Sequence, residues 1–489
     1  MRNYPAGPIP KLERHRSTPP RNLRQQRVSP RAAVAATEPI RRRILPVPVI
    51  AFLISLQLPW VISLGSVGIF PYRIVLLAVL PICITRWISG KAGPIRLSDI
   101  AFILFCIWCT ISLMVVHGIG YALQPAGAIW VETLGAYFLG RCYVRDKHVF
   151  RGIVAALFLC VVVVLPFALF ETLTGRDILL DAFGTIFPTY QEANMPPRWG
   201  LERVQANVLH PILFGVVVGS ILSMTHLVLG YGRKPVIRWL KSGIVLFTAF
   251  LSLSAGPLTA AVAQIGLLSW NWLMRDFRNK WMLLIGTFFA ATAFISLFAT
   301  RSPAAILIGY FAFDESSAYI RLLTWEYGTR SILDHPLFGT GLGDWDRPSW
   351  LTPSIDMYWI VDSVRHGLPA GFFLMLAFSS MVLQVSLKKG LDDRTNAYRG
   401  GYVIGMAGFF FAGWAVYLWG TAYVLFLFLL GSGAWILDQA EAVPRTRKAL
   451  LSQPVGRSRT RTLPAANLRS PLEPAATYAV ASSAPPDLK

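Results

Sequence analysis

Two stretches of this chain, 172–204 and 301–365, hold eight arginines and no lysine. The eight are Arg176, Arg198, Arg203, Arg301, Arg321, Arg330, Arg347 and Arg365. A guanidinium fork fits phosphate and carboxylate oxygens two at a time, where an ammonium offers only a point charge. Acids share both stretches: Asp177, Asp181, Glu192 and Glu202 in the first, Asp314, Glu315, Glu326, Asp334, Asp344 and Asp346 in the second. Some arginines therefore pair at home, and two or three are expected to hold an anionic substrate. Asp356 and His210 are the residues placed to move a proton. Asp356 serves either as a base or as a helix cap. His210, just before Pro211 at a helix start, serves either as a cap or in catalysis and substrate contact.

A third feature is HPLFGTGLGDW, His335 to Trp345. Its alternating glycines suggest a loop that cradles phosphate. It lacks the G-x-x-x-x-G-K-[ST] pattern and the strand-to-helix setting of such loops. Gly339, Gly341 and Gly343 are instead expected to let the chain turn tightly. His335 at a helix end and His366 near a helix start read as structural.

The elements that carry these residues are set by an apolar composition. Of 489 residues, 54% are hydrophobic and 15% charged, and the mean hydropathy is +0.51. A soluble chain of this size needs more polar surface. The apolar runs are near the ~20 residues that cross a bilayer core of about 30 Å, and backbone satisfaction there forces helices. The prediction is an all-α polytopic membrane protein with about twelve spans: 44–64, 67–86, 98–116, 122–140, 150–171, 205–229, 239–254, 257–274, 281–300, 366–386, 401–418 and 420–438. The pair 239–254 and 257–274 meets at Gly256-Pro257, where a broken element is expected.

Charge placement predicts the sidedness. With the N-terminus in the cytoplasm, inner loops carry 18 Lys/Arg and outer segments eight, as the positive-inside rule requires. Both termini are then cytoplasmic, the membrane core is 44–438, and the long loops 172–204 and 301–365 face outward. The net charge of +21 resides largely in basic tails, 1–43 and 439–489. These look disordered and suit anionic lipid, not nucleic acid. Cys83, Cys106, Cys109, Cys142 and Cys160 lie in or beside apolar runs, so no disulfide and no metal site is expected. Arg73 and Glu132 fall inside spans, where charges usually serve function. Arg73 is placed about two turns in, within reach of a lipid phosphate. Glu132 pairs with Arg73 or with a helix terminus. Residues 317–333 read as a surface helix capped by Ser316 or Ser317, with Glu326 and Arg330 paired at i,i+4.

Several motifs, in order, resemble a known family. They are RVQANVLHPILFG (Arg203–Gly215), SLSAGPLTAAVAQ (Ser252–Gln264), RLLTW (Arg321–Trp325), HPLFGTGLGDW, and SIDMYWIVDSVRHGLPAGF (Ser354–Phe372). The pattern is similar to the O-antigen ligase and Wzy-type polysaccharide polymerase family of bacterial inner membranes. The resemblance implies a GT-C-like glycosyltransferase without metal or cofactor, acting at the periplasmic face on an undecaprenyl-pyrophosphate-linked glycan. It places Arg203 and Arg321 at motif positions for the pyrophosphate, with Arg73 and Arg330 beside them. A chain-length regulator and other export proteins are the partners it admits. Two departures stand out. Ser254-Ala255-Gly256 replaces the family's S-R-G. Ser354-Ile355-Asp356-Met357-Tyr358 replaces a histidine-asparagine pair, which leaves Asp356 as the base. That change favours a polymerase of exopolysaccharide or O-antigen over a ligase. A transporter or flippase is the reading from another class, and a scaffold working through the basic tails is compatible with any of them.

Overall fold

The computed structural model of the chain describes residues 44–64, 67–277, 279–298 and 315–439, without the side chains at 64, 67, 295, 298 and 315–317. These residues fall in the unit Met1–Ala442, and the unit Val443–Lys489 lies outside them. The expected disordered tails, Arg278, Arg301, Asp314 and the cap at Ser316 or Ser317 also lie outside.

Helix α1 (Val47–Ser55) is followed by a hairpin, β1 (Ile62–Leu64) with β2 (Val67–Ile69), pairing Ile62 with Ile69. The expected span 44–64 is thus broken. Pro59 cannot continue the helical ladder and pushes Leu58 out of helical geometry. Nine residues rise only about 13 Å. Next come α2 (Pro71–Ile88), α3 (Leu97–His117) and α4 (Ile119–Ile129). A π-turn (Trp130–Gly135) joins α4 to α5 (Ala136–Tyr143). Then follow α6 (Lys147–Thr174), the short α7 (Ile178–Gly184), α8 (Pro211–Leu229), α9 (Pro235–Phe250) and α10 (Ala255–Leu273). The remainder are α11 (Lys280–Phe298), α12 (Glu315–Asp334), α13 (Tyr358–His366), α14 (Leu368–Leu387), α15 (Asp393–Gly413) and α16 (Gly420–Leu437).

Each of the twelve predicted segments carries a helix. Six of the described helices are long and apolar enough to cross a membrane: α2, α3, α6, α8, α14 and α16. The protein is therefore an all-α membrane protein, with one small hairpin among the described residues. The expected break near Gly256 is real and lies slightly earlier. Helix α9 stops at Phe250, α10 starts at Ala255, and Leu253 between them has φ +45°.

Burial separates two kinds of apolar helix. Helices α8 and α16 are 89% buried, whereas α2, α3, α6 and α14 are 28–39% buried. The first pair forms the centre, and the others turn a broad apolar face outward. Helix α16 packs chiefly on α5. Gly140 and Gly431 face each other there, and a Cβ on either would run into the opposing backbone. Small residues allow such close crossings. Beyond the bundle, Ile332, Trp345, Leu351, Ile355, Ile360 and Val364 form a second small core, which fixes the 315–365 stretch.

Candidate functional site

The stretch before α8 is held by the end of α6. Glu171 accepts from Gln205 N (2.6 Å) and Ala206 N (3.0 Å). Thr172 Oγ1 donates to Glu202 O (2.7 Å), and Glu202 N donates to Thr172 O (3.0 Å). Ala206 adopts φ +50° within this clamp. The clamp presents Arg203, which is buried. Its Nη2 donates to Ser254 Oγ at 2.9 Å, and its Nε has no hydrogen-bond partner. Among the described residues no carboxylate lies within 4.0 Å of it. Arg198 Nη1 donates to Leu253 O at 3.0 Å. Burial first, then the nearby charge of Arg198, lowers the Arg203 pKa to about 10. Two guanidinium groups thus gather where α10 starts, where free N–H groups also favour an anion.

His210 caps α8: its Nδ1 accepts from Ile212 N at 3.2 Å. That bond assigns the remaining proton to Nε2, which is left to donate. Burial, then the Arg203 charge, lowers the His210 pKa, and the Asp356 charge works against them. At neutral pH the ring is neutral, and it stands in the fields of both groups. Asp356 does not cap α13. It accepts from Ser354 Oγ at 2.6 Å and has no cation within 4.0 Å among the described residues. The charges of Arg203, seven residues before His210, and of Asp356, far along the chain, both act on the His210 ring.

A second cluster adjoins the first. The His210 ring lies 5.9 Å from Trp419, and Trp419 stacks on Tyr417 at 5.6 Å. The Tyr417 hydroxyl accepts from Arg365 Nη1 at 3.1 Å. One turn earlier on α13, Asp362 has its pKa raised to about 6 by burial, against the pull of Arg365. Sequence reasoning passed over this pair. The only signal was an Asp-x-x-Arg spacing that puts 362 and 365 on one face of a short helix.

Arg73 and Glu132 meet as one of the two expected outcomes, with Nε to Oε1 at 2.6 Å. Tyr72 Oη also donates to Glu132, at 3.1 Å. Arg73 lies in the first turn of α2, not two turns in, because residues 67–69 form a strand. The π-turn carries Glu132 toward it.

Arg321 and Arg330 lie on α12, whose buried face is Thr324, Gly328, Ser331 and Ile332, toward α13. Arg330 is exposed and makes no hydrogen bond or ion pair with the groups above. Glu326 and Arg330 are not ion-paired within 4.0 Å, against expectation. Helix α12 contributes Trp325, at 6.0 Å from Trp414. Two arginines are neutralised locally: Arg347 by Asp344 (2.8 Å) and, loosely, Arg176 by Asp181 (3.6 Å).

HPLFGTGLGDW uses its amides within the fold. Thr340 N and Gly341 N donate to Val364 O and Arg365 O at 2.9 and 2.8 Å. Leu342 N donates to His117 Nε2 at 2.8 Å, and Ser112 Oγ donates to Phe338 O at 2.6 Å. Gly339 and Gly341 have φ +66° and +70°. The loop is a strap over α3 and the end of α13. His335 pairs with Asp346 at 3.3 Å, and buried His366 lies 3.3 Å from Ser112 Oγ through Nδ1.

No protein-family model and no curated protein matches the chain.

Proposed function

We propose that the protein is a glycosyltransferase that polymerises lipid-linked oligosaccharide units, with its site on the periplasmic face of a bacterial inner membrane. The carrying observation is Arg203: a buried guanidinium with no carboxylate within 4.0 Å among the described residues, joined by Arg198 at the start of α10, with its charge and that of Asp356 acting on the His210 ring. This is where a pyrophosphate could leave a sugar. The acceptor hydroxyl oxygen attacks the anomeric carbon, and the bond from that carbon to the pyrophosphate oxygen breaks. Asp356 takes the hydroxyl proton. The leaving pyrophosphate oxygen takes the electron pair, and Arg203 and Arg198 stabilise the charge it gains. His210 donates from Nε2 to a sugar or phosphate oxygen. Trp419 and Tyr417 offer flat faces for a sugar ring.

The resemblance to the O-antigen ligase and Wzy-type family supports the same reading. Where that family carries the arginine of S-R-G, this chain has Ala255, and Arg198 reaches the neighbouring Leu253 carbonyl. The reading includes about twelve crossings, a GT-C-like layout and both termini in the cytoplasm. The donor is an undecaprenyl-pyrophosphate glycan.

One observation favours a second reading. An unwound stretch followed by a helix start, as at Leu251–Ser254 and α10, is also how transporters hold anions. Proteoliposomes supplied with the lipid-linked repeat unit separate the two. A product ladder from the wild type, lost in Arg203→Ala and in Asp356→Asn, is the expected result. Movement of the intact unit across the bilayer, without a ladder, would establish transport instead. Passage of the unit to a different lipid acceptor, again without a ladder, would make the enzyme a ligase.

A further inference from the structure

A cavity of about 600 Å³ lies between α2 and α4. That is in the range of a small-ligand site. Its wall is apolar, with Ile74, Leu77, Ala128 and Val131, and Arg73 is its one charged residue. Around it Ile74, Leu77, Tyr121 and Leu123 are exposed, so the groove opens sideways among surfaces that a bilayer would cover. Leu342 of the glycine strap closes one part. On α4, Gly120 and Gly127 face open space: a Cβ added at either would meet nothing within 4 Å.

The groove leads to the site through a chain of contacts. Arg73 joins Glu132, which also accepts from Tyr72 Oη, and Tyr72 Oη lies 3.8 Å from where a Cβ on Gly420 would stand, next to Trp419. Tyr417 takes Arg365 and stacks on Trp419, and Trp419 meets His210. A ligand with its chain in the groove and its head past Arg73 would thus reach Arg365 and then the arginines at α10.

We propose that the α2–α4 groove holds the hydrocarbon chain of the phosphate-headed lipid substrate, with Arg73 at the junction of chain and head. This rests on the proposed function, because it names where that lipid lies. The apolar wall suits an isoprenoid or acyl chain and excludes a free phosphate. The lone cation sits where the polar head must begin. A neutral lipid would leave Arg203, whose Nε has no hydrogen-bond partner, without an anion to hold.

The test uses full-length protein in proteoliposomes with a photoreactive polyprenyl phosphate. Labelling is expected in α2 and α4, around Leu77 and Ala128. Gly127→Trp fills the empty space without displacing a neighbour, and Gly127→Ala is the control for folding. Gly127→Trp should cut labelling and raise the donor KM, each by about tenfold or more, with little change in kcat. Gly127→Ala should behave as wild type. Labelling elsewhere, or a Gly127→Trp protein that labels and turns over normally, overturns the groove even if the wild type makes polymer. Groove labelling that Gly127→Trp abolishes, in a wild type that transfers no sugar, supports the lipid seat and overturns the glycosyltransferase reading instead.

Discussion

Arg203 keeps its charge in a buried place with no carboxylate beside it, and burial together with Arg198 pulls its pKa down to about 10. A fold rarely leaves a guanidinium so placed unless something anionic visits it. Arg203→Lys keeps the charge and loses the fork. The expected result is a fall of about a hundredfold in kcat/KM for the lipid-linked donor, as when one charge-stabilising donor is removed. An unchanged value would take the leaving group away from Arg203. Asp177 gives a second test at this scale. Its Oδ1 caps α7 through Leu180 N at 3.0 Å, while its buried Oδ2 has no partner. Burial raises its pKa to about 7, with Glu192 adding to it and the bond from Leu180 N opposing. The folded value lies above the unfolded value of about 3.9, so the native state binds the extra proton and loses stability as pH rises from about 4 to 7. Asp177→Asn keeps the cap and removes the charge. It should raise the unfolding temperature at pH 8 and leave it unchanged near pH 4, measured by thermal shift in detergent. A gain of equal size at both pH values would place the effect elsewhere.

Among the elements, the end of α6 matters as much as any span. Glu171 holds the backbone of Gln205 and Ala206, and so sets the position of Arg203 without touching the site. Glu171→Ala removes two hydrogen bonds to backbone N–H groups, each worth roughly 0.5–1.5 kcal/mol. It should lower the unfolding temperature and weaken transfer as Arg203 variants do, chiefly in donor KM. Loss of stability with KM intact would make the clamp merely structural. This clamp was not legible in the sequence, because a carboxylate late in an apolar run gives no hint of which amides it will meet. His210 and Asp356 stand out in the sequence because polar residues are sparse here and each comes just before a helix start, and Arg203 stands out by its motif. Arg321 and Arg330 looked equivalent to Arg203 by type and spacing. The packing of Gly328 and Ile332 against α13 separates the two: Arg330 is exposed, and Arg321 is half-buried on the same face as Gly328.

At the scale of the whole molecule, apolar runs gave the helices but not their rank. Helices α2 and α16 read alike in composition, yet one is mostly exposed and the other is the centre, since leucine and phenylalanine serve equally against lipid and against protein. Pro59 marked the broken first span in the sequence, and the run of apolar residues around it hid the fact. The proposed topology makes a definite prediction. A cysteine at exposed Trp350 should react with an impermeant maleimide on intact cells, and one at Asp392 only after the membrane is opened. Labelling of Asp392→Cys from outside would invert the sidedness and remove the periplasmic site.

The close meeting of Gly140 with Gly431 also bears on biosynthesis. Helix α16 leaves the ribosome after every other described helix, yet it fills the middle of the bundle. About 300 residues separate the two glycines, so at roughly 5–20 residues per second α5 waits fifteen seconds to a minute for its partner. During that time Arg141, buried in the finished fold beside Asp99 at 3.5 Å and near Asp438 at 4.0 Å, lacks its second acid. The nascent chain must be sheltered by an insertase or lipid until then. A product truncated before Gly420 carries a hollow bundle, and quality-control proteases can recognise it at once.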